Sequence, residues 1–430
     1  MKITNLAQQK EDFEAAKKQT LLDTQRCVMC GMCSAHCPTY ELSRDENESP
    51  RGRITLIQSL LLDRIQASPS IEKHLDNCLM CRSCETICPS KVAYGDILNF
   101  GRNYIVSEKI DGQKQGQTRN FGLSFIIQNS KIKRLAFLIK LYQRSGLQFF
   151  VRKTRVLEHF RIARIERLIP SAARIKDKRS IASDTSEKKL KKISLFTGCL
   201  AQIFDQQTLE ASKNILIHCG YSVTTPENQT CCGAMHEHNG DSNTAAYCAK
   251  TNIDAFSEAP ENKVIFSATG CGASLSDYQK KHPDFSNTEP FHRNLSDILS
   301  FLHTEQSLDN KQFDALDKKV LIHRPCLSRN ILKITHQTEA LLKNIPKLNI
   351  KVVDTSANCC GAAGSHMISN PEHAAAIREK LLNDILIENP DILVSDNLGC
   401  VLHIQEGLRT KGLDIEVVHP VVLLERQLQS

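Results

Sequence analysis

Cys27, Cys30, Cys33, Cys37 and Pro38 spell C-x-x-C-x-x-C-x-x-x-C-P, and Cys78, Cys81, Cys84, Cys88 and Pro89 spell it again. Such a run puts three thiolates on one tight turn, where they grip three irons of a 4Fe-4S cubane. The fourth Cys, offset before a Pro, points away and ligates the neighbouring cluster. The expected ligand sets are therefore crossed: Cys27, Cys30, Cys33 and Cys88 for one cluster, and Cys78, Cys81, Cys84 and Cys37 for the other. Zinc knuckles are the alternative, but they use C-x-x-C pairs far apart or combined with His, not four Cys ending in Pro. Two adjacent clusters require a fold that holds both turns face to face, and they point to a protein that moves electrons.

At 430 residues with 41% hydrophobic content, the chain can bury more than one core, so two or three domains are expected. Eighteen Cys would suit an extracellular disulfide framework. Residues 1–20 are polar, however, and lack the apolar core of a signal peptide, so thiolates in a reducing cytoplasm are the expectation. No apolar run approaches the roughly 20 residues of a membrane span, which leaves a soluble protein or one peripheral on the inner face of the cell membrane. The net charge of +7 is unevenly placed. Lys131, Lys133, Arg134, Lys140, Arg144, Arg152, Lys153, Arg155, Arg161, Arg164 and Arg167 interleave with Leu, Ile and Phe. That stretch suits an anionic membrane surface or an acidic partner subunit, and equally a solvated helical face leading into a linker. No nucleic-acid module is visible, so nucleic acid is not an expected partner.

The texture divides the chain. Residues 12–25 are helical in pattern, and Ile54, Leu56, Ile57, Leu60, Leu61 and Leu62 mark a helix between the two Cys runs. A helix there does not fit a small strand-rich ferredoxin; it fits an α-helical ferredoxin module over 1–105 with two 4Fe-4S clusters. A basic helical segment and linker follow over 106–192, with the polar linker proper at 177–192. From 193 short β-branched runs alternate with helical stretches, the signature of βαβ units. Strands are expected at 193–197, 221–224, 264–268, 320–323, 351–353 and 392–395. The order of features repeats at offsets of 127 (Cys199 to Cys326), 128 (Cys231 to Cys359) and 129 (Cys271 to Cys400), with His292 paired to His419 at 127. The expected architecture is thus multidomain: the helical module, then a duplicated α/β domain with one Cys-Cys-Gly motif in 193–305 and another in 306–430.

In each copy the Cys stand just beyond the carboxyl ends of different strands, where open α/β sheets assemble their sites. Cys199, Cys231, Cys232 and Cys271 form one candidate site, and Cys326, Cys359, Cys360 and Cys400 the other. Adjacent Cys followed by Gly can face one centre only on a turn that the Gly allows. A further iron-sulfur cluster or a zinc ion are the groups such sites would hold. Cys219 and Cys248 lack counterparts in the second copy and read as core packing. His236, His238, His323 and His366 lie near these Cys in sequence and are candidates for tuning or proton relay. Gly270, Gly272, Gly361, Gly364 and Gly399 spell no dinucleotide fingerprint, so no flavin or nicotinamide is assigned to this chain, and no catalytic acid, base or nucleophile is assigned either.

With both Cys runs, Pro50-Arg51-Gly52-Arg53 and the two Cys-Cys-Gly copies, the chain resembles the glycolate oxidase iron-sulfur subunit. The resemblance implies an oxidoreductase complex at the membrane, in which FAD-containing 2-hydroxy-acid oxidase subunits oxidise glycolate and this subunit passes the electrons toward quinone. The corresponding subunits of lactate or anaerobic glycerol-3-phosphate dehydrogenase complexes are the alternative; the Pro-Arg-Gly-Arg stretch favours glycolate. The Cys-Cys-Gly domains are similar to those of the heterodisulfide reductase catalytic subunit, whose full motif ends in C-x-x-C. Here Ser274 and His403 stand where that last Cys would be, leaving four Cys per site. A metal-binding scaffold whose clusters only fix structure is the alternative of another class.

Overall fold

The computed structural model describes residues 6–112, 129–154, 166, 168–169, 191–334, 336–353 and 359–429. The linker expected over 177–192 lies outside these, except for Lys191 and Lys192, which open the first strand. The amino-terminal module is helical, built from Leu6–Gln25, Pro50–Leu61, Pro69–Asp76 and Tyr94–Gly112 around a core that includes Ile57, Leu75, Ile97 and Leu98. Two of these helices start where a capping Ser precedes a Pro. Ser49 and Ser68 accept hydrogen bonds from the backbone amides of Gly52 and Ile71, and Pro50 and Pro69 fill first-turn positions whose N–H would be unpaired. Gly52 has no alternative, because a Cβ there would stand 1.9 Å from the Glu46 carbonyl oxygen.

The carboxyl-terminal part holds two four-stranded, all-parallel sheets. The first runs β2-β1-β3-β4, from β1 (Lys191–Phe196), β2 (Tyr221–Thr224), β3 (Lys263–Phe266) and β4 (Leu295–Asp297). The second runs β6-β5-β7-β8, from β5 (Lys319–His323), β6 (Asn349–Val352), β7 (Ile392–Ser395) and β8 (Glu416–Val418). Ile193 pairs with Lys263 as Val320 pairs with Ile392, so the duplication extends to strand register.

The two copies share one core, which joins Ile215, Leu216 and Ile298 of the first to Val320, Leu342 and Val421 of the second. Helix Gln206–His218 packs on Pro420–Gln427, and Ile298–Thr304 packs on Gln337–Leu342. Each contact joins the helix after the first strand of one copy to the helix after the last strand of the other, the reciprocal pattern of a pseudo-twofold axis.

The pairing of His292 with His419 is corrected here. His292 lies in a helix, Thr288–Asn294, that has no counterpart before β8. The equivalent of His419 is Asp297: Asp297 ends the last strand of its copy, His419 directly follows the last strand of the other, and each caps the next helix. Asp297 accepts from the Leu299 amide at 2.8 Å and His419 from the Val421 amide at 3.1 Å.

Candidate metal centres

Both amino-terminal Cys runs adopt the same turn. Met29 and Gly31 have positive φ (56° and 82°), and so do Met80 and Arg82 at the matching positions (51° and 56°). Left-handed backbone at three non-Gly residues is strained, and strain of this kind persists only where the surroundings impose it. The same backbone turn carries Cys27, Cys30 and Cys33 in the first run and Cys78, Cys81 and Cys84 in the second. In the first run Cys30 is exposed, with Val28, Met29 and Met32 beside it at 67%, 48% and 50% exposure. The second run is more enclosed: Cys84 is buried, and Cys78, Cys81 and Cys88 are half-buried. Burial, then the nearby Cys326, push the Cys81 thiol up to about 12, and burial followed by Cys81 raises Cys84 well above its ordinary range.

Cys37 is buried, and its charge is felt by Cys81 and Cys84 in the second turn as well as by Cys33 in its own. Cys88 is half-buried against the core that Cys27, Cys33 and Cys78 also touch. Cys37 thus lies within electrostatic reach of both turns, and Cys88 shares a core with thiols of both.

The Pro-Arg-Gly-Arg stretch serves both turns. Arg51 donates to the Met29 carbonyl at 3.2 Å and pairs with Glu46 at 2.5 Å, closing over the first turn. Arg53 has no exposed surface. It donates to Thr39 Oγ1 at 3.0 Å and the His74 carbonyl at 2.7 Å, and it holds both the carbonyl and the carboxylate of Glu48. Burial alone would lower its pKa, but Tyr94, Cys78, Cys37 and Glu48 raise it, so a fixed cation stands between thiols of the second ligand set. Arg102 donates to the Cys78 carbonyl at 2.9 Å, and the Tyr94 hydroxyl donates to Cys78 Sγ at 3.5 Å. Hydrogen bonds and charge of this sort tune cluster potentials.

The four Cys of each Cys-Cys-Gly site converge from three strand ends. In the first, Cys199 follows β1 and lies 3.5 Å from Cys231, sulfur to sulfur. A Cβ on Gly198 would stand 3.6 Å from Cys271 Sγ, which places Cys271 beside Cys199. Hydrogen bonds from Cys231 and then Cys271 hold Cys232 well below the ordinary thiol range. Cys231 and Cys271 are raised, chiefly by their bonds to Cys199 and Cys232 respectively. Buried thiols in contact cannot all ionise alone, and a polynuclear cation that takes every thiolate resolves that conflict.

In the second site Cys360 and Cys400 are 2.7 Å apart, and the Cys326 thiol is raised by its bond to Cys359 and by burial. Gly233 and Gly361 turn both pairs with φ of 83° and 74°, as the sequence requires. Among the described residues no three His, Cys, Asp or Glu are spaced to hold one metal ion.

Ser274 and His403 do the same work in the two copies. Ser274 Oγ donates to the Cys232 carbonyl at 2.9 Å, and His403 Nδ1 to the Cys360 carbonyl at 2.7 Å. Each pins the second Cys of its pair by the backbone. Asn252 and Tyr278, which sequence reasoning missed, reinforce the first pair: Asn252 donates to the Cys231 carbonyl at 2.9 Å and Tyr278 to that of Cys232 at 2.9 Å. Both sit mid-helix among ordinary helical residues, so no local pattern marks them.

The sites are not equivalent in their surroundings. Cys81 and Cys359 act electrostatically on each other, Leu79, Cys359 and Ile377 form one apolar cluster with Cys326 against it, and Asn330 donates to the Cys81 carbonyl at 2.7 Å. The second site therefore abuts the buried Cys turn. The first copy meets the module through ion pairs, Arg82 with Asp277 at 3.2 Å and Lys280 with Asp96.

Cys219 bonds the Ser307 carbonyl at 3.4 Å, away from both sites. Cys248 is core, but it is the core of the first site; burial and the charges of Cys232 and Cys199 push it up to about 12. Among the described residues, the four candidate His bond to groups other than these thiols or to none. His236 pairs with Asp241 at 3.4 Å, His323 bonds Ser395 at 3.0 Å and His366 bonds His373 at 2.9 Å. His238 lines, with His366, Asp76, Arg102 and Cys78, a small crevice where the three parts meet.

Comparison with known proteins bears on the same residues. Residues 23–92 match the 4Fe-4S dicluster domain, residues 193–276 and 320–405 the cysteine-rich domain, and residues 114–169 the linker region of the glycolate oxidase iron-sulfur subunit. The probable glycolate oxidase iron-sulfur subunit of Bacillus subtilis is 34% identical over 418 residues, 93% of this chain and 92% of its own. The glycolate oxidase iron-sulfur subunit of Escherichia coli is 28% identical over 410 residues, covering 94% of each. Lactate utilization protein A 2 of Bacillus cereus is 26% identical over 245 residues, 56% of this chain and 100% of its own. Iron-sulfur clusters, with two 4Fe-4S centres in the helical module, are the cofactors of this fold. Matched over more than nine-tenths of its length by such relatives, and in its linker as well as its Cys domains, the chain belongs to the glycolate oxidase iron-sulfur subunit family.

Proposed function

We propose that the chain is the electron-transfer subunit of a complex that oxidises glycolate, with substrate oxidation on an FAD-containing partner and quinone as the eventual acceptor. When bound, the clusters take up and release electrons one at a time. One observation carries the reading: an exposed Cys turn, a buried Cys turn and the second Cys-Cys-Gly site adjoin in series. The exposed turn offers a partner a close approach, with Val28, Met29 and Met32 as apolar contact surface. Arg53, Arg102 and Tyr94 hold the buried turn and its charge in place. Oxidation of glycolate to glyoxylate releases two electrons and two protons; a flavin takes both electrons and returns them singly, which thiolate-held irons can accept. Lactate is the second reading, favoured by the shared 245 residues with the lactate utilization protein; the linker match favours glycolate.

The test follows the visible absorption of the anaerobically prepared chain. Glycolate should bleach it only when the flavoprotein subunit is present, and lactate should do so more slowly. Bleaching of the isolated chain by glycolate would overturn the division of labour, and faster bleaching by lactate would reassign the substrate.

A further inference from the structure

Between the helical module and the duplicated sheets lie two helices, Asn129–Arg144 and Leu147–Thr154, that none of the assignments above uses. The first docks on the first copy by one face: Ile132 and Ala136 are buried there, with Ile139 packed beside them. At 3.6 residues per turn, Phe137, Leu138 and Leu141 lie on the opposite side, and that side should be polar if it met only water. They are 67%, 59% and 56% exposed. The second helix, packed on the first, exposes Phe149 and Phe150 at 72% and 61%. Isolated exposed apolar residues are ordinary, but a contiguous set of large ones marks a contact.

Charge says what kind of contact. Residues 129–154 carry seven Lys or Arg and no Asp or Glu. Arg152 is engaged with Glu166 at 2.8 Å, and Lys153 lies over the Phe149 ring at 5.8 Å from its centroid. A segment whose exposed aromatic and aliphatic residues interleave with cations, and which has no acidic residue of its own, has the composition that partitions into the headgroup region of an anionic bilayer, apolar side chains reaching the acyl boundary and cations staying with the phosphates. No helix among the described residues is long and apolar enough to cross a membrane, so such a contact is interfacial.

We propose that residues 129–154 form an interfacial anchor that lays this protein on an anionic lipid surface. The inference does not depend on the substrate or on the flavin partner. Because one end of the pair is fixed to the first copy by Ile132 and Ala136, the anchor would set how the Cys sites face the membrane.

The test is flotation of the full, cluster-loaded chain with vesicles of phosphatidylcholine alone or with phosphatidylglycerol added. The chain should float with the anionic vesicles and be released by salt. A Phe137→Asp/Phe149→Asp variant and a Lys140→Glu/Arg144→Glu variant should each lower the bound fraction by at least about tenfold. Both substitutions lie outside the Cys sites, so unchanged cluster absorption certifies the fold. Failure of the native chain to float, binding indifferent to phosphatidylglycerol, or variants that float as well as the native chain would each overturn the proposal. So would variants that keep vesicle binding but lose co-purification with the flavoprotein, since the face would then belong to a protein partner.

Discussion

A guanidinium without exposed surface destabilises a fold unless its donors are engaged. Arg53 engages the Glu48 carboxylate, two backbone carbonyls and a hydroxyl, while Glu48 is also bonded to His74 at 2.7 Å and Asn77 at 2.9 Å. Arg53→Met leaves that carboxylate buried without its cation and should cost about 3–5 kcal/mol. Arg51→Met, at the surface, should cost under about 1 kcal/mol. Thermal unfolding followed by cluster absorption compares the two. Cys37→Ser should abolish the resonance signal of the cluster built on Cys78, Cys81 and Cys84 and spare that on Cys27, Cys30 and Cys33; loss of the latter alone would refute the crossed ligands. At this scale the sequence was legible wherever coordination chemistry dictates spacing. It was silent on Arg53, because two Arg two residues apart look alike until burial separates them.

Elements whose signal is local were readable: β2 and β7 fall at the expected residues. The edge strands β4 and β8 have three residues each, too few for an alternation to register, and missing them misplaced His419. The Cys-Cys-Gly turn was legible in its conformation but not in its crowding. A Cβ on Gly361 would meet the Ala374 carbonyl oxygen at 2.3 Å, whereas one on Gly146, at nearly the same φ, would meet nothing within 4 Å. Gly361→Ala should therefore destabilise by about 2–5 kcal/mol and disturb the second site. Gly146→Ala should cost only about 1–2 kcal/mol. Denaturant unfolding of the two variants separates backbone strain from collision.

The interface between the two copies sets a pH dependence for the whole molecule. Asp297 is buried, its Oδ2 has no partner, and burial followed by the charge of Asp396 raises it to about 8. Asp396, bonded to Ser328 at 2.7 Å, is raised by burial to about 6. A carboxyl raised on folding binds its proton more tightly in the native state, so its contribution is full below the ordinary value of 3.8 and is lost as pH rises through about 8. Asp297→Asn keeps the cap on Leu299 and Ser300 and should flatten the fall in unfolding temperature between about pH 4 and pH 8. An unchanged slope would remove Asp297 as its cause.

At this scale the sequence foretold two equivalent Cys-Cys-Gly sites, and their equivalence fails only in tertiary contacts. Cys326 and Cys359 lie against the buried turn of the module, while Cys199, Cys231, Cys232 and Cys271 are packed in the core of the first copy. The account therefore rests on a path from the exposed turn through the buried one to the second site. Redox titration with electron paramagnetic resonance on the reduced, anaerobic chain tests it most directly. Cys326→Ser should shift the potential and line shape of the cluster held by Cys78, Cys81 and Cys84, and Cys199→Ser should leave both unchanged; equal effects, or an effect of Cys199→Ser alone, would contradict the path.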